Sequence, residues 1–439
     1  MLKPILSTLT VLFQIFQLEA GGPTAPFEIP PHGNPDKLLG RTVLEAPTAM
    51  AFDSKNRPYM INNRNLKSFG KLKTIRNGKW ITQSFLELFN QERLPSTRNH
   101  HGTGELVIDD QDSLYATVGN KLIYSPDLGK TFNAYPCKGS LEVRTGTGKF
   151  TLPPVISQLT DTQKVKGMRW GGRSQLSILI PKKVKGGLLL GKPIEISENG
   201  MTIGSGGHSG GTSYAVTTDN LTHIVYTILP EDTTQGGNPI HIATIDRRNR
   251  SVIAKELLVV ADPINPDIHT RPTITADSKG YLHVLSGSHG TPFYYLRSLK
   301  PNDITKGWTM PVKLMGRQCY ASIVCDQQGT VHSVFREWIP HASLGYSSKL
   351  PGVETWLKPT TLVHGANPRG KYAYGIFYHR LFIDRESNLF LSFTFWERNT
   401  NKNGVYPEAL AFSKDFGKTW RLAQENTFLP IHTQEGHEH

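Results

Sequence analysis

The feature that most constrains this chain is a hairpin that keeps returning. An alternating apolar strand ends on an Asp, a polar or glycine turn follows, and a second apolar strand begins. The pattern reads AMAFDSKNRPYMI around Asp53, ELVIDDQDSLYATV around Asp110 and YAVTTDNLTHIVY around Asp219. It returns as TITADSKGYLHVL around Asp277, SIVCDQQGTVHSVF around Asp326 and LFIDRESNLFLSF around Asp384. Period-two apolar alternation on both sides of a short turn marks a β-hairpin. Successive intervals between these aspartates are 57, 109, 58, 49 and 58 residues. The long interval is close to two periods, which places a degenerate copy between Leu152 and Ile180. A period near fifty, with two strands visible and room for two more, fits a propeller blade. The expectation is an all-β chain folded as a β-propeller of seven blades.

A second motif agrees. SPDLGKTF (Ser125 to Phe132) and SKDFGKTW (Ser413 to Trp420) share Ser-x-Asp-x-Gly-x-Thr-aromatic. These resemble the Asp box of sialidase-like propellers, which implies structural rather than catalytic roles for Asp127 and Asp415. Glycine (41) and proline (29) are plentiful and helical periodicity is missing, as short strands and many turns require. Residues 133–200 are the least regular stretch, rich in Gly and Lys (Lys182, Lys183, Lys185), and are expected as a long surface excursion. No linker divides the chain, so 21–425 is expected as one propeller domain, followed by a frayed tail over 426–439.

Lys3, the apolar run Pro4 to Leu18 and the small residues Ala20-Gly21-Gly22 read as an export signal over residues 1–20. The run is too short and too interrupted for a membrane span. A secreted (extracellular or periplasmic) monomer is expected. Cys319 and Cys325 lie six residues apart on one strand, about 20 Å at the strand rise and beyond disulfide reach. Net charge is +13, which on an exported protein points to a polyanionic partner. No compact Lys/Arg run with interleaved aromatics marks a nucleic-acid site.

A propeller presents its site where loops of several blades meet at one end of the channel. His223, His283 and His332 share one position of the repeat and are expected to be structural. His269 (DIHTRPTI) and His289 (SGSHGTPF) instead enter and leave one hairpin, so both rings can face one cleft. Tyr320 opens the next blade's first strand, Arg336 closes its partner, and Tyr378 opens the blade after that. Five polar residues thus fall at equivalent blade ends in three successive blades.

The segment HTRPTITADSKGYLHVLSGSHGTPFYYLRS, with these five residues, resembles the BNR-type repeat of ulvan lyases in polysaccharide lyase families 24 and 25. His269 to His289 is 20 residues, Tyr320 to Arg336 is 16, and Tyr378 lies 42 further on. The resemblance spans roughly 265–400. It implies β-elimination on a sulfated, uronate-containing polysaccharide. Arg336 would neutralise the uronate carboxylate, while His269 and Tyr320 would serve as base and acid, with the reverse order open. His289 and Tyr378 would orient the sugar. No cofactor is required on this scheme. Some relatives hold a structural zinc through His and Cys, but no His or Cys occurs here between His379 and His432. His341 and Cys325 make no ligand set of usable spacing. The His-bearing blade also lies near the N-terminus in those lyases, whereas about 260 residues precede it here. Two other classes compete. A sialidase-like hydrolase could draw on Arg271, Arg297, Arg317, Arg398 and Glu337, although no Phe/Tyr-Arg-Ile-Pro type segment stands near the N-terminus. A propeller lectin for anionic glycans would need no catalysis.

Overall fold

The computed structural model describes residues 27–28, 47–62, 70–85, 104–118, 120–165, 172–202, 213–230, 236–261, 268–314, 316–338, 343–364, 376–395, 408–423 and 427–428. The expected signal at 1–20 and all but two residues of the expected tail at 426–439 lie outside them. Every named element is a β-strand, and the strands are arranged as a β-propeller. The first blade is Ala49–Phe52, Pro58–Asn62, Lys71–Arg76 and Lys79–Ser84, paired antiparallel in chain order. The second is Glu105–Ile108, Leu114–Val118, Lys121–Ser125 and Asn133–Pro136. The third is Thr273–Ala276, Leu282–Leu285, Tyr294–Lys300 and Asp303–Trp308, with Val312–Lys313 added on Tyr294–Lys300. The fourth is Gln318–Cys325, Val331–Glu337, Leu344–Lys349 and Thr360–His364. Phe27–Glu28 joins its outer edge in parallel. The fifth is Ile376–Ile383, Leu389–Phe395, Glu408–Ser413 and Arg421–Leu422.

The expected count of seven blades is corrected to five separate blades among the described residues. Between the second and third blades, residues 140–261 form one continuous eight-stranded sheet. Its first array is Ser140–Leu141, Ile156–Gln163, Arg173–Leu179 and Ile194–Thr202, and its second is Ala215–Thr218, Leu221–Ile228, Asn238–Asp246 and Ser251–Ala261. The fusion has a simple cause. Ala215–Thr218 covers only Leu221 to Ile224 of its longer partner, so the far end of that strand keeps an open hydrogen-bonding edge. Ile194–Thr202 takes it, pairing Gly200 with Ile228 and Thr202 with Thr227, and Leu229 N donates to Asn199 O at 3.0 Å. The irregular stretch expected as a surface excursion is therefore mostly sheet. Its lysines lie on a hairpin, Lys182–Val184 with Gly187–Leu189, and Lys183 Nζ meets Asp109 at 2.6 Å.

Apolar clusters fill the gaps between neighbouring sheets, because inner strands such as Glu105–Ile108, Thr273–Ala276 and Gln318–Cys325 bury residues on both faces. Ala49, Ile61 and Leu72 of the first blade meet Leu106, Ile108 and Leu114 of the second. The same first blade offers Met50, Phe52 and Met60 to Phe382, Phe390 and Leu410 of the fifth, and this closes the ring.

Four of the six repeated aspartates hold their turns with hydrogen bonds, whereas Asp219 lies in a two-residue turn with φ +53°. Asp53 Oδ1 accepts from the backbone N–H of Lys55 and Arg57 at 3.0 and 2.8 Å. Asp277, Asp326 and Asp384 accept from the residues two and four further on in the same way. In the second blade Asp109 makes these bonds to Gln111 and Ser113, so the repeat position is Asp109 and not Asp110. Asp110 instead accepts from both Arg144 and Arg385, at 2.8 and 2.7 Å. The two Ser-x-Asp turns share one geometry. Asp127 accepts from Ser125 Oγ and Thr131 N at 2.8 Å each, and Asp415 accepts from Ser413 Oγ and Thr419 N at 2.8 Å each.

His223, His283 and His332 are buried in the sheets. His332 bridges Tyr346 Oη (2.7 Å) and Asp326 (3.0 Å), His283 bridges Tyr295 Oη (2.7 Å) and Asp277 (3.4 Å), and His223 Nδ1 meets Thr244 Oγ1 at 2.9 Å. Cys137, Cys319 and Cys325 are buried thiols, and burial pushes Cys137 up to about 11.

Candidate functional site

The candidate site lies where the third and fourth blades meet. His269 sits in the turn that leads into Thr273–Ala276. Its neighbour Thr270 is fully buried and accepts through its carbonyl from Thr227 Oγ1 at 3.0 Å, which ties this turn to the eight-stranded sheet. His289 begins a three-residue strand, His289–Thr291, that leaves its own blade and pairs antiparallel with the start of Gln318–Cys325, His289 opposite Cys319. Ser288 Oγ reaches the carbonyls of both Thr291 (2.7 Å) and Gln318 (2.9 Å) across this junction.

Two glycines make the crossing possible. A Cβ on Gly287 would overlap the backbone of Thr270 and Arg271, so the His289 loop can lie directly on the chain that carries His269. Gly290 has φ +99°, and a Cβ there would stand 3.0 Å from the Trp338 ring.

The result is a cluster of three rings. His269 and His289 have centroids 4.8 Å apart, His269 and Tyr320 6.1 Å, and His289 and Tyr320 5.7 Å. Tyr320 Oη stands 3.4 Å from His289 Nε2, a long contact that a small shift would tighten. Arg336 places its guanidinium carbon 4.5 Å from the Tyr320 ring centroid, a cation–π arrangement, and its Nε donates to Cys319 Sγ at 3.2 Å. The two histidines are half-buried, whereas Tyr320, Arg336 and Tyr378 are each 2% exposed. The site thus shows imidazoles outward, with a phenol and a guanidinium behind them.

Tyr320 and Tyr378 occupy the same place in successive blades, and the backbone there is unusual. Both have left-handed φ, +64° and +55°. Each sits where the pairing of its strand shifts register, between Cys319 and Ser322 and between Phe377 and Arg380. Such bulges re-aim a side chain that a regular strand would point elsewhere. Tyr378 stands one blade away from the three rings, and its neighbour His379 makes the link, with Nε2 donating to Tyr320 O at 2.6 Å.

Several residues around the cluster had no role in the scheme read from the sequence. Trp338 meets His289 edge-on at 5.1 Å. It follows Arg336 by two positions and so faces the same side of the strand, a signal present in the sequence. Deeper in, Arg380 and Glu105 are buried on inner strands, and Arg271 is half-buried beside them. Burial brings Arg271 down to about 10 against the opposing pull of Glu105 and Tyr320, and lowers Arg380 likewise. Of the parts offered to a hydrolase, Arg271 and Arg317 stand beside the cluster, whereas Arg297 stacks on Tyr281 at 3.7 Å and Glu337 accepts from Thr361 Oγ1 at 2.8 Å. Arg398 and His341 lie outside the described residues. Among the described residues no group of three or more His, Cys, Asp or Glu is disposed to hold a metal ion, and no helix is long and apolar enough to cross a membrane.

The BNR repeat-containing family is matched over residues 226–438, a stretch that holds all five site residues. No curated protein sequence matches the chain. Among solved structures, an ulvan lyase of polysaccharide lyase family 25, bound to a glucuronate–rhamnose-3-sulfate repeat, is 16% identical with a TM-score of 0.39. The match covers 51% of this chain and 55% of that one, so this chain spans about half the length of that lyase. A Dyadobacter fermentans protein of unknown function is 10% identical over 84% of this chain and 94% of its own, with a TM-score of 0.44. A xyloglucanase from Xanthomonas campestris is 13% identical over 88% and 55%, also with a TM-score of 0.44. Likenesses at this level assign no activity.

Proposed function

We propose that the protein is a secreted polysaccharide lyase that cleaves a sulfated, uronate-containing chain of ulvan type by β-elimination. The observation that carries the proposal is the ring cluster of His269, His289 and Tyr320 with the Arg336 guanidinium against Tyr320. β-Elimination removes the C5 proton of a uronate, forms the C4–C5 double bond and breaks the C4–O bond, whose oxygen leaves with a proton. The chemistry needs a base, an acid and a positive charge near the carboxylate. His269 takes the C5 proton and Tyr320 protonates the departing oxygen, or the two exchange these roles. Arg336 stabilises the negative charge that builds up on the carboxylate side. His289, within reach of the Tyr320 hydroxyl, and Tyr378 in the next blade hold the sugar. The Ser-x-Asp turns support kinship with Asp-box propellers, and the net charge of +13 suits an anionic polymer outside the cell.

The test is incubation with ulvan, and with unsulfated uronate polymers, while following absorbance of the unsaturated uronate. A rising signal is expected with ulvan. New reducing ends without absorbance would replace the lyase by a hydrolase, and retention of the polymer without cleavage would replace it by a lectin. Rising salt should weaken ulvan binding steeply beyond physiological strength, because screening shortens the reach of surface charge.

A further inference from the structure

We propose that Arg317 and Trp338 form an anion-reading shelf beside the ring cluster, which recognises a sulfate on the sugar next to the one that reacts. The inference rests on the lyase reading for its choice of polymer, but its geometry stands on its own. Arg317 and Trp338 lie just beyond the last pairing of the fourth blade's first two strands, Gln318 with Glu337, and Trp338 N donates to Arg317 O at 2.9 Å. The two side chains therefore leave the sheet together at its site end. Arg317 is exposed, yet it is not loose. Its Nε donates to Gly290 O at 2.8 Å, and its guanidinium carbon stands 5.5 Å from the Trp338 ring centroid.

That anchoring has a chemical consequence. Tying Nε to a carbonyl and holding the group near an aromatic ring removes part of the rotamer freedom that an exposed arginine normally loses on binding. The terminal nitrogens stay at the surface as a pre-aimed fork, the geometry that suits a tetrahedral oxyanion bidentately. The anchor is also wired to the site. Gly290 adjoins His289, and the same Trp338 ring meets His289 edge-on at 5.1 Å. A Cβ at Gly290 would press on that ring, so glycine is what allows loop, tryptophan and arginine to close on one another. An anion held by Arg317 thus lies beside, and not on top of, the imidazole and phenol, where the neighbouring sugar of the same chain would run. The class of ligand is a sulfated glycan, since sulfate keeps its charge at every physiological pH and a neutral sugar offers the fork nothing to pair with.

The experiment measures equilibrium binding at fixed ionic strength to native ulvan and to chemically desulfated ulvan, for the wild type, Arg317→Ala and Arg317→Lys. Arg317→Ala should weaken binding to native ulvan about tenfold and to the desulfated polymer far less. Arg317→Lys, which keeps the charge without the fork, should fall between them. Because Arg317 is exposed, the thermal midpoints of both variants should stay close to the wild type and exclude misfolding. The proposal is overturned if Arg317→Ala keeps the wild-type preference for the sulfated polymer, or if the wild type has no such preference. Absence of unsaturated product in every protein, with an Arg317-dependent preference retained, would remove the lyase reading and leave the shelf in place.

Discussion

Tyr320 meets two demands that a tyrosine rarely meets together. Its backbone is left-handed, at a cost of about 1–3 kcal/mol, and its phenol is buried against a guanidinium. Strain of this kind persists only where surroundings over-determine it, and here the bulge, the His379 bond and the Arg336 stack do so. The phenol and the guanidinium can be told apart by substitution. Tyr320→Phe keeps the ring and its stack on Arg336, so the denaturation midpoint should move little while production of unsaturated uronate falls about 10²- to 10⁴-fold. Arg336→Ala should lower turnover about 10²- to 10³-fold and also destabilise by about 2–4 kcal/mol, because it leaves a void under the Tyr320 ring. Full turnover in Tyr320→Phe would end its role in proton transfer.

At the scale of elements, the site is made by one short strand that crosses between blades and by two bulges in register. The repeat made the fold class legible, and the equal offset of Tyr320 from Asp326 and Tyr378 from Asp384 marked them as equivalent. The bulges were not legible, because a register shift leaves no trace in apolar alternation on either side. Nor was the crossing of His289–Thr291, whose signal is steric and resides in Gly287 and Gly290 rather than in any strand pattern. The merging of two arrays at residues 140–261 depends on the unequal lengths of Ala215–Thr218, with 4 residues, and Leu221–Ile228, with 8, a difference that composition does not reveal. The Ser-x-Asp turns give a contrast that can be measured. Asp415 fixes the turn that seats the buried Trp420 against Tyr346 at 5.6 Å, and Tyr346 bonds His332 in the core, whereas Asp127 serves a turn whose Phe132, packed on Phe85, is only half-buried. Asp415→Ala should therefore cost about 2–3 kcal/mol and Asp127→Ala about 1 kcal/mol in urea denaturation. Equal losses would show that the aromatic partner contributes nothing through the turn.

The whole molecule should be sensitive to mild acid. Burial holds His223 down at about 4 and lowers His241 and His283 as well. In the unfolded chain imidazole titrates near 6.5, so between the two values the unfolded state binds more protons and is favoured. This contribution is complete above about pH 6.5 and is lost as pH falls toward 4. Asp127, Asp277, Asp326 and Asp415 are held below the usual range by their hydrogen bonds, and their share is lost only below about pH 4. Glu142 and Asp384, raised by burial, work the other way and soften the fall. The urea midpoint should drop between pH 7 and pH 5, and His223→Gln should flatten that drop by removing the titrating group. An unchanged slope in the variant would place the acid sensitivity elsewhere.

Among the described residues, the hydrogen bonds that join Asp53 and Asn56 to Asp384 and Arg385 across the seam between the first and fifth blades each involve a side chain, and no strand pairing crosses it. Each of those blades takes all its strands from consecutive chain, so no strand is shared across the join. Phe52 on Phe390 at 5.1 Å and Asn56 Nδ2 on Asp384 at 3.0 Å connect residues more than three hundred positions apart. A ribosome therefore releases the first blade long before its partner exists, and its apolar flank of Met50, Phe52 and Met60 must wait, sticky and uncovered, for the final fifty-odd residues of the ring. Synthesis of this protein carries a period of vulnerability to aggregation that ends only with the last blade, and the same seam is where the ring can part without tearing any sheet.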